Sequence, residues 1–243
     1  MSGHSKWATT QRQKSSVDAK RGIAFTKIAN LITVAAREGG GDLNSNFKLR
    51  LAIDKAKEAN MPKDNIERAI KRGTGEGSAG NNFEEVTYEL MGPAGSAFLV
   101  EAVTDNRNRT VGEVKTVANK NGGQLAGPNS VAWMFDKYGY INIEEEEIKK
   151  INPDDLELAL IDAGALDINK DGSWQIITKI DDLQTVLKKT KEFELDPKDF
   201  GLSYFPQNEL KIESQEAKEK IERFYELLEN IDDVSNVYTN AGW

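Results

Sequence analysis

The stretch that decides the fold is residues 1–77. It begins with MSGHSKWATTQRQKSSVDAKRGIAFTKIANLITVAAREGGG (1–41) and ends with NMPKDNIERAIKRGTGEG (60–77). The first 79 residues carry 15 Lys and Arg against 8 Asp and Glu, a net charge of +7. Residues 80–243 carry 17 basic and 32 acidic residues, a net charge of −15, so the overall charge of −8 conceals a strong asymmetry. A basic head on an acidic body indicates a polyanionic partner such as nucleic acid, or else only the solvated faces of helices.

Three amphipathic helices are predicted in this head, because apolar residues recur there at spacings of three and four. The three stripes are Phe25, Ile28, Ile32 and Ala35; Leu49, Ala52, Ile53 and Ala56; and Ile66, Ala69 and Ile70. Asn44 or Asn46 is expected to cap the second helix, and Pro62 suits the first turn of the third. The residues before them, Met1–Val17, lack an apolar period and are interpreted as an extended basic arm.

The acidic body predicts strands and helices in two sets. Phe83–Leu90, Ala97–Thr104, a helix behind a Thr110–Glu113 capping box and the strand Val131–Phe135 give a β-β-α-β unit. Residues 136–206 read β-α-β-β-α-β, the ferredoxin-like order, and the β-α-β tail after them has too little core to stand alone.

The fold class predicted from these elements is α+β, with an N-terminal three-helix bundle followed by two ferredoxin-like α/β domains, one inserted into the other. The expected domains are 1–79 for the arm and bundle, 80–135 plus 207–243 for a discontinuous α/β domain, and 136–206 for the inserted one. The G-x-G-x-x-G match GEGSAG (75–80) follows a helix instead of a strand, so it is interpreted as a flexible linker and not as a dinucleotide site.

The composition excludes several kinds of chemistry. The chain has no cysteine and one histidine, His4, so a thiolate nucleophile and a Cys/His zinc site are ruled out. The acids Glu144–Glu147 lack the spacing of a calcium loop and are interpreted as a solvated turn. We find no catalytic constellation and predict a non-enzyme with no cofactor and no metal. No run approaches the roughly 20 apolar residues of a membrane span, and we expect a cytosolic monomer with no membrane partner.

The loop DNRNRT (105–110) is the most distinctive polar segment of the body. Arg107 and Arg109 flank a predicted helix N-terminus, which attracts anions, so the two arginines could grip phosphate. The alternative is an ordinary capping turn made by Asn106 or Asn108 together with Thr110. Capping explains the asparagines and the threonine but not the arginines, so both interpretations stay open.

Several segments of the chain resemble the YebC family. They are GHSKW (3–7), DAKRG (18–22), FTK (25–27), TVAAREGGG (33–41), LRLAIDKAKEANMPKDNIERAIKRGTGEG (49–77), TDNRNRT (104–110) and SVAWMFDKYG (130–139). The resemblance implies an N-terminal helical domain and two α/β domains, one interrupted by the other. It also implies either a DNA-binding transcriptional regulator or, from a mitochondrial branch of translational activators, a factor that binds ribosomal RNA and eases synthesis of difficult sequences.

From the residues and the resemblance together we predict a regulator of gene expression that binds nucleic acid through its head. The expected phosphate contacts are Lys6, Arg12, Lys14, Lys20, Arg21 and Lys27, with Lys71 and Arg72 as a second edge and Arg107 and Arg109 as a secondary contact. Trp7 either anchors the arm by packing or stacks on a base.

The partner is DNA or ribosomal RNA, with the ribosome itself as a further candidate. A DNA-binding transcriptional regulator is the first hypothesis, a ribosome-associated translation factor the second, and a protein-interaction scaffold built on the acidic sheets a weaker third. No helix carries a row of Asn, Gln and Arg suited to base edges in a major groove, which favours recognition of RNA shape.

Overall fold

A computed structural model describes residues 18–76, 83–170, 172–197 and 199–242, with side chains from Ala24 onward. The helices are α1 (Asp18–Gly39), α2 (Phe47–Glu58), α3 (Lys63–Gly73), α4 (Arg107–Lys120), α5 (Glu145–Ile148), α6 (Pro153–Asp162), α7 (Leu183–Glu192) and α8 (Gln215–Glu229). The strands are β1 (Glu84–Met91), β2 (Ala97–Thr104), β3 (Gln124–Leu125), β4 (Phe135–Ile143), β5 (Ala165–Asn169), β6 (Trp174–Thr178), β7 (Asp199–Pro206), β8 (Leu210–Lys211), β9 (Val234–Thr239) and β10 (Ala241–Gly242). In these residues no helix combines the length and apolar character that a membrane crossing requires.

The head is built from α1, α2 and α3 around one apolar core. Its buried members, which include most of the predicted stripe positions, are Ile32, Ala35, Ala36, Leu49, Ala52, Ile53, Ala56, Met61, Ile66 and Ala69. Asn46 caps α2 by accepting a hydrogen bond from the backbone N–H of Leu49 at 3.0 Å. Its amide nitrogen also donates to the carbonyls of Ala35 and Gly40, both at 2.7 Å, and so fixes the start of α2 against the end of α1.

Gly73 lets the end of α3 touch α1. A Cβ built at this position would lie 2.3 Å from the backbone oxygen of Thr33 and 2.7 Å from the Cβ of Ala36. We therefore expect Gly73→Ala to lower the free energy of unfolding by about 1–3 kcal/mol, because a backbone oxygen cannot move aside cheaply.

Gly112 supplies the matched control for this prediction. It lies inside α4 with nothing within 4 Å of its Cβ position, so Gly112→Ala should raise the free energy of unfolding by about 0.5–1 kcal/mol. Urea denaturation of the two variants measures both signs. Equal effects at the two glycines would contradict the close approach of α3 to α1.

The first sheet has the antiparallel order β3-β1-β2-β9. One face packs against α4 and α8 in a core that includes Leu90, Phe98, Val100, Val114, Ala118, Ile221, Phe224 and Val237. On the other face α1 covers β2, where Val34 packs with Phe83 and Val103. Burial on both faces explains why β2 reads as the nearly continuous apolar run Ala97–Val103 and not as an alternating strand.

The second sheet belongs to a compact unit of its own, Phe135–Glu209 with Gly242. Its antiparallel order is β5-β6-β4-β7, which is the ferredoxin-like order for the predicted β-α-β-β-α-β chain. The predicted α+β class, with N-terminal helices and antiparallel sheets, is confirmed. The head and the first sheet fall into one compact unit together, so the predicted three-domain division stays a prediction.

Two local predictions are wrong, and each for a physical reason. Val131 is not in a strand: a 3-10 turn spans Ala132–Met134, since the carboxylate of Glu89 accepts the N–H groups of Val131 and Ala132 at 2.7 and 2.8 Å. The capping box at Thr110 is also absent. Asn106, one of the two asparagines expected as a cap, caps α4 by accepting a hydrogen bond from the N–H of Arg109 at 3.1 Å. Thr110 is buried in the first turn of the helix.

Candidate nucleic-acid interface

A groove of about 370 Å³ runs between α1 and α3 on the surface of the head. Ala29, Met61 and Ala69 are among its apolar lining residues, and Met61 and Ala69 belong to the core of the head. Arg68 and Arg72 line it from α3, where their i, i+4 spacing places both guanidinium groups on the same side of the helix.

Arg72 is a half-buried cation of the head. Its Nε and Nη2 donate to the hydroxyl oxygen of Thr33 at 3.1 and 2.9 Å, and its guanidinium lies 5.3 Å from the ring centroid of Phe83. Burial lowers the pKa of the Arg72 guanidinium, and no nearby acidic group offsets that effect among the described residues. The structure thus holds a half-buried positive charge in place without an internal counter-charge.

Thr33 fixes the position of this guanidinium. The Thr33 side chain is buried, and its hydroxyl lies within hydrogen-bonding distance of the carbonyls of Ala29, at 2.8 Å, and Ala69, at 3.2 Å. Since those carbonyls belong to α1 and α3, the hydroxyl that receives Arg72 is held by both walls of the groove.

Arg68 is exposed and bonds neutral atoms. Its Nε donates to the carbonyl of Asp64 at 3.2 Å, and its Nη2 donates to the side-chain oxygen of Asn65. Lys71, the residue directly before Arg72, is also exposed. Within the described residues no ion pair joins Arg68, Lys71 or Arg72 to a carboxylate, so α3 presents a cluster of positive charge that an external anion could neutralise.

The structure uses three of the other predicted cations for internal contacts. Lys27 donates from Nζ to the carbonyl of Glu229 at 2.6 Å, and its burial lowers its pKa despite the nearby acids of the segment 229–233. Arg107 pairs with Glu84 at 2.9 Å. These contacts direct both side chains toward the α/β part of the same unit.

Arg109 is engaged even more fully. It pairs with Asp105 at 3.0 Å and with Asp233 at 2.7 Å, and its pKa is raised chiefly by the hydrogen bond to Asp233. Asp233 is buried and also accepts hydrogen bonds from the hydroxyls of Thr104 and Thr110, at 3.1 and 2.6 Å. The arginines of the loop 105–110 therefore have acidic partners, which the sequence pattern did not indicate.

The other predicted contacts cannot be placed. Lys6, Trp7, Arg12 and Lys14 lie outside the described residues, as do the side chains of Lys20 and Arg21, although the backbone of those two belongs to the first turn of α1.

Sequence reasoning missed Arg68, Phe25 and Asn30 as members of the groove. Asn30 is a polar residue next to the apolar stripe of α1, and that position was the available signal.

The basic three-helix head, with its arginine-lined groove, and the two antiparallel sheets with their helices define a protein of the α+β class. Residues 5–76 match the family model described as the TACO1/YebC protein N-terminal domain, and residues 83–241 match the model of the TACO1/YebC second and third domain. The chain belongs to the TACO1/YebC family, which confirms the resemblance found in its motifs.

Relatives of this chain carry a shared description. The chain is 49% identical over 242 residues to a probable transcriptional regulatory protein of Syntrophotalea carbinolica, covering 99% of this chain and 95% of the relative. It is 47% identical over 241 residues to a protein of the same description from Natranaerobius thermophilus, covering 99% and 96%. The crystal structure of a conserved hypothetical protein, Aq1575 from Aquifex aeolicus, superposes with a TM-score of 0.85 at 37% identity, covering 98% of this chain and 96% of that one.

Proposed function

We propose that this protein is a non-enzymatic regulator of gene expression that binds nucleic acid through its helical head. The observation that carries the proposal is the guanidinium of Arg72, which is half-buried, fixed by Thr33 and without an acidic partner among the described residues. Removing water from a charge costs free energy that only a partner repays, so a site of this kind favours a ligand that brings negative charge. The names of the relatives point to transcription as the process regulated.

The proposed interface differs from the set of residues predicted from the sequence. Arg68, Lys71 and Arg72 form its described part, and the arm cations Lys6, Arg12 and Lys14 together with Lys20 and Arg21 are proposed to extend it. Lys27, Arg107 and Arg109 are left out, because each already has a partner inside the protein.

A second candidate function, ribosomal RNA binding by a translation factor, is favoured by the exposed face of α3. Asp64 and Glu67 lie on that face beside Arg68. If α3 entered a major groove as a recognition helix, these two carboxylates would be repelled by the phosphates of the duplex. A concave groove with arginines on one wall suits the irregular shape of folded or unpaired RNA better than it suits a regular duplex.

Crosslinking in growing cells, followed by sequencing of both the DNA and the RNA recovered with the protein, tests the proposal. Discrete promoter peaks without enriched ribosomal RNA are expected for the transcriptional role. Ribosomal RNA enriched at a few positions, without promoter peaks, would replace it by the translational role. Recovery of neither above the level of an untagged strain would refute nucleic-acid binding as the function.

A further inference from the structure

Asn30 is a mostly buried polar residue that takes no part in the proposed phosphate contacts. It lines the groove from α1 and is 7% exposed. Within the part of the chain that the structure describes, no hydrogen bond reaches its side-chain amide. The polar atoms of this amide are not fully buried, since in the described residues only Tyr88 Oη and Gln175 Oε1 are fully buried without a hydrogen bond. The Asn30 amide therefore opens into the groove, where a ligand that supplies both a donor and an acceptor can take the place of water.

The surroundings of Asn30 define what that ligand looks like. Phe25, half-buried, is one of the lining residues, and Ala29, Met61 and Ala69 give the groove an apolar surface. The volume of about 370 Å³ lies in the range of small-molecule sites, about 300–1,000 Å³. The ligand therefore has a flat apolar body, polar atoms at its edge and negative charge attached nearby, where Arg68 and Arg72 lie.

We propose that the groove between α1 and α3 receives one unpaired nucleotide of a single strand, an inference that rests on the proposed nucleic-acid binding. The base stacks on Phe25 and hydrogen-bonds through its edge to the amide of Asn30, while Arg68 and Arg72 neutralise the adjoining phosphates. Every base edge carries neighbouring donors and acceptors that an amide can match. A base inside a duplex cannot enter, because both of its faces are covered by its neighbours in the stack.

Two substitutions separate the base from the phosphates. Phe25→Leu keeps an apolar side chain against the core of the head but removes the aromatic face. Asn30→Leu replaces the amide by an apolar group of similar size, and its folding should be as stable as that of the natural protein or more so, since no internal hydrogen bond is lost. Arg223→Gln, on an exposed position of α8 away from the groove, is the control.

Fluorescence anisotropy with the full-length protein measures binding to three probes: an unstructured RNA, a DNA strand of the same sequence, and the RNA annealed to its complement. We expect the natural protein to favour the single strands. Phe25→Leu and Asn30→Leu should each weaken single-strand binding by about tenfold, with the duplex affinity and the salt slope unchanged. If the variants lose affinity for both the single-stranded RNA and the single-stranded DNA, the groove contacts the base alone. If they lose affinity for the single-stranded RNA only, the groove also contacts the ribose.

Crosslinking gives a second measurement that does not depend on affinity. A halogenated pyrimidine at the unpaired position, irradiated in the complex, should attach to the ring on which it stacks, so peptide mapping is expected to find the adduct on Phe25. Equal single-strand affinity in the natural and groove variants, with no adduct on Phe25, would overturn the inference while the proposed function stands. A destabilised Asn30→Leu would show that the amide is structural and remove it from the site. Failure of the natural protein to bind any of the three probes or a DNA duplex of the same sequence would refute the proposed function itself.

Discussion

Asp233→Ala is expected to lower the free energy of unfolding by about 3 kcal/mol, the larger of the stability effects that the structure predicts. The carboxylate is buried and accepts hydrogen bonds from Thr104, Thr110 and Arg109. These three residues lie at the end of β2 and in the first turn of α4, and the backbone carbonyl of Asp233 also accepts the N–H of Val103 at 2.8 Å. Alanine at this position would leave two buried hydroxyls and one guanidinium without their common partner.

Asp232, at the preceding position of the chain, provides the matched control. It is exposed, so Asp232→Ala should change the free energy of unfolding by no more than about 0.5 kcal/mol. Urea denaturation followed by circular dichroism compares the two variants. If both aspartates gave the same small effect, the carboxylate of Asp233 would not be the tie between β2 and α4 that the geometry indicates.

The same network decides the role of Arg109, which the sequence left open between a phosphate contact and a structural residue. Arg109→Ala should lower stability and leave nucleic-acid affinity within about twofold, because Asp105 and Asp233 already neutralise its charge. Denaturation and anisotropy on one preparation of this variant supply the two values. A loss of affinity without a loss of stability would return Arg109 to the interface.

The local spacing of apolar residues was sufficient to predict the helices and most of the strands. The three stripes of the head identified its core, and Asn46 was one of two predicted caps for α2. These features depend on residues three or four positions apart, so a sequence displays them directly. The apolar run of β2 was predicted as a strand for the same reason.

Features that depend on distant residues could not be predicted. Arg109 and Asp233 are separated by 124 positions, and Lys27 and Glu229 by 202. A single sequence does not show which acid a given cation will meet, so Lys27, Arg107 and Arg109 all looked like free cations. Glu89 had a similar effect on the predicted strand at Val131, since a carboxylate some 40 positions earlier takes that segment's N–H groups.

The residues of the candidate groove also fall into those that the local sequence predicts and those that only the packing of two helices brings together. Lys71 and Arg72 were predicted because the end of α3 is visibly basic, whereas Asn30 and Phe25 gain their meaning only when α1 lies beside α3. Gly73 is the last residue of α3 and lies where the two helices touch, a contact that the sequence alone does not show. The sequence therefore predicted the charge of the site but not its concavity, because a concave surface needs two packed elements.

The second large effect is expected in nucleic-acid binding, where Arg68→Gln combined with Arg72→Gln should weaken affinity by more than tenfold at low salt. Each phosphate contact on a single strand contributes about 0.7 to the slope of log affinity against log salt, so the double variant should flatten that slope by about 1.4. Its stability should be almost unchanged, because neither arginine has an acidic partner among the described residues and Gln still offers an amide near Thr33.

Arg223→Gln removes one positive charge from α8, half of the charge change in the double variant, and is the control for a cation outside the groove; it should leave the slope unaltered within error. Anisotropy titrations over a series of salt concentrations give both slopes, and circular dichroism confirms that the variants are folded. An unchanged slope in the double variant would mean that Arg68 and Arg72 do not touch phosphate, and the interface would then lie on the arm and the first turn of α1. A flatter slope with full stability would instead identify Arg72 as a cation that the fold keeps desolvated for its ligand, at no benefit to folding.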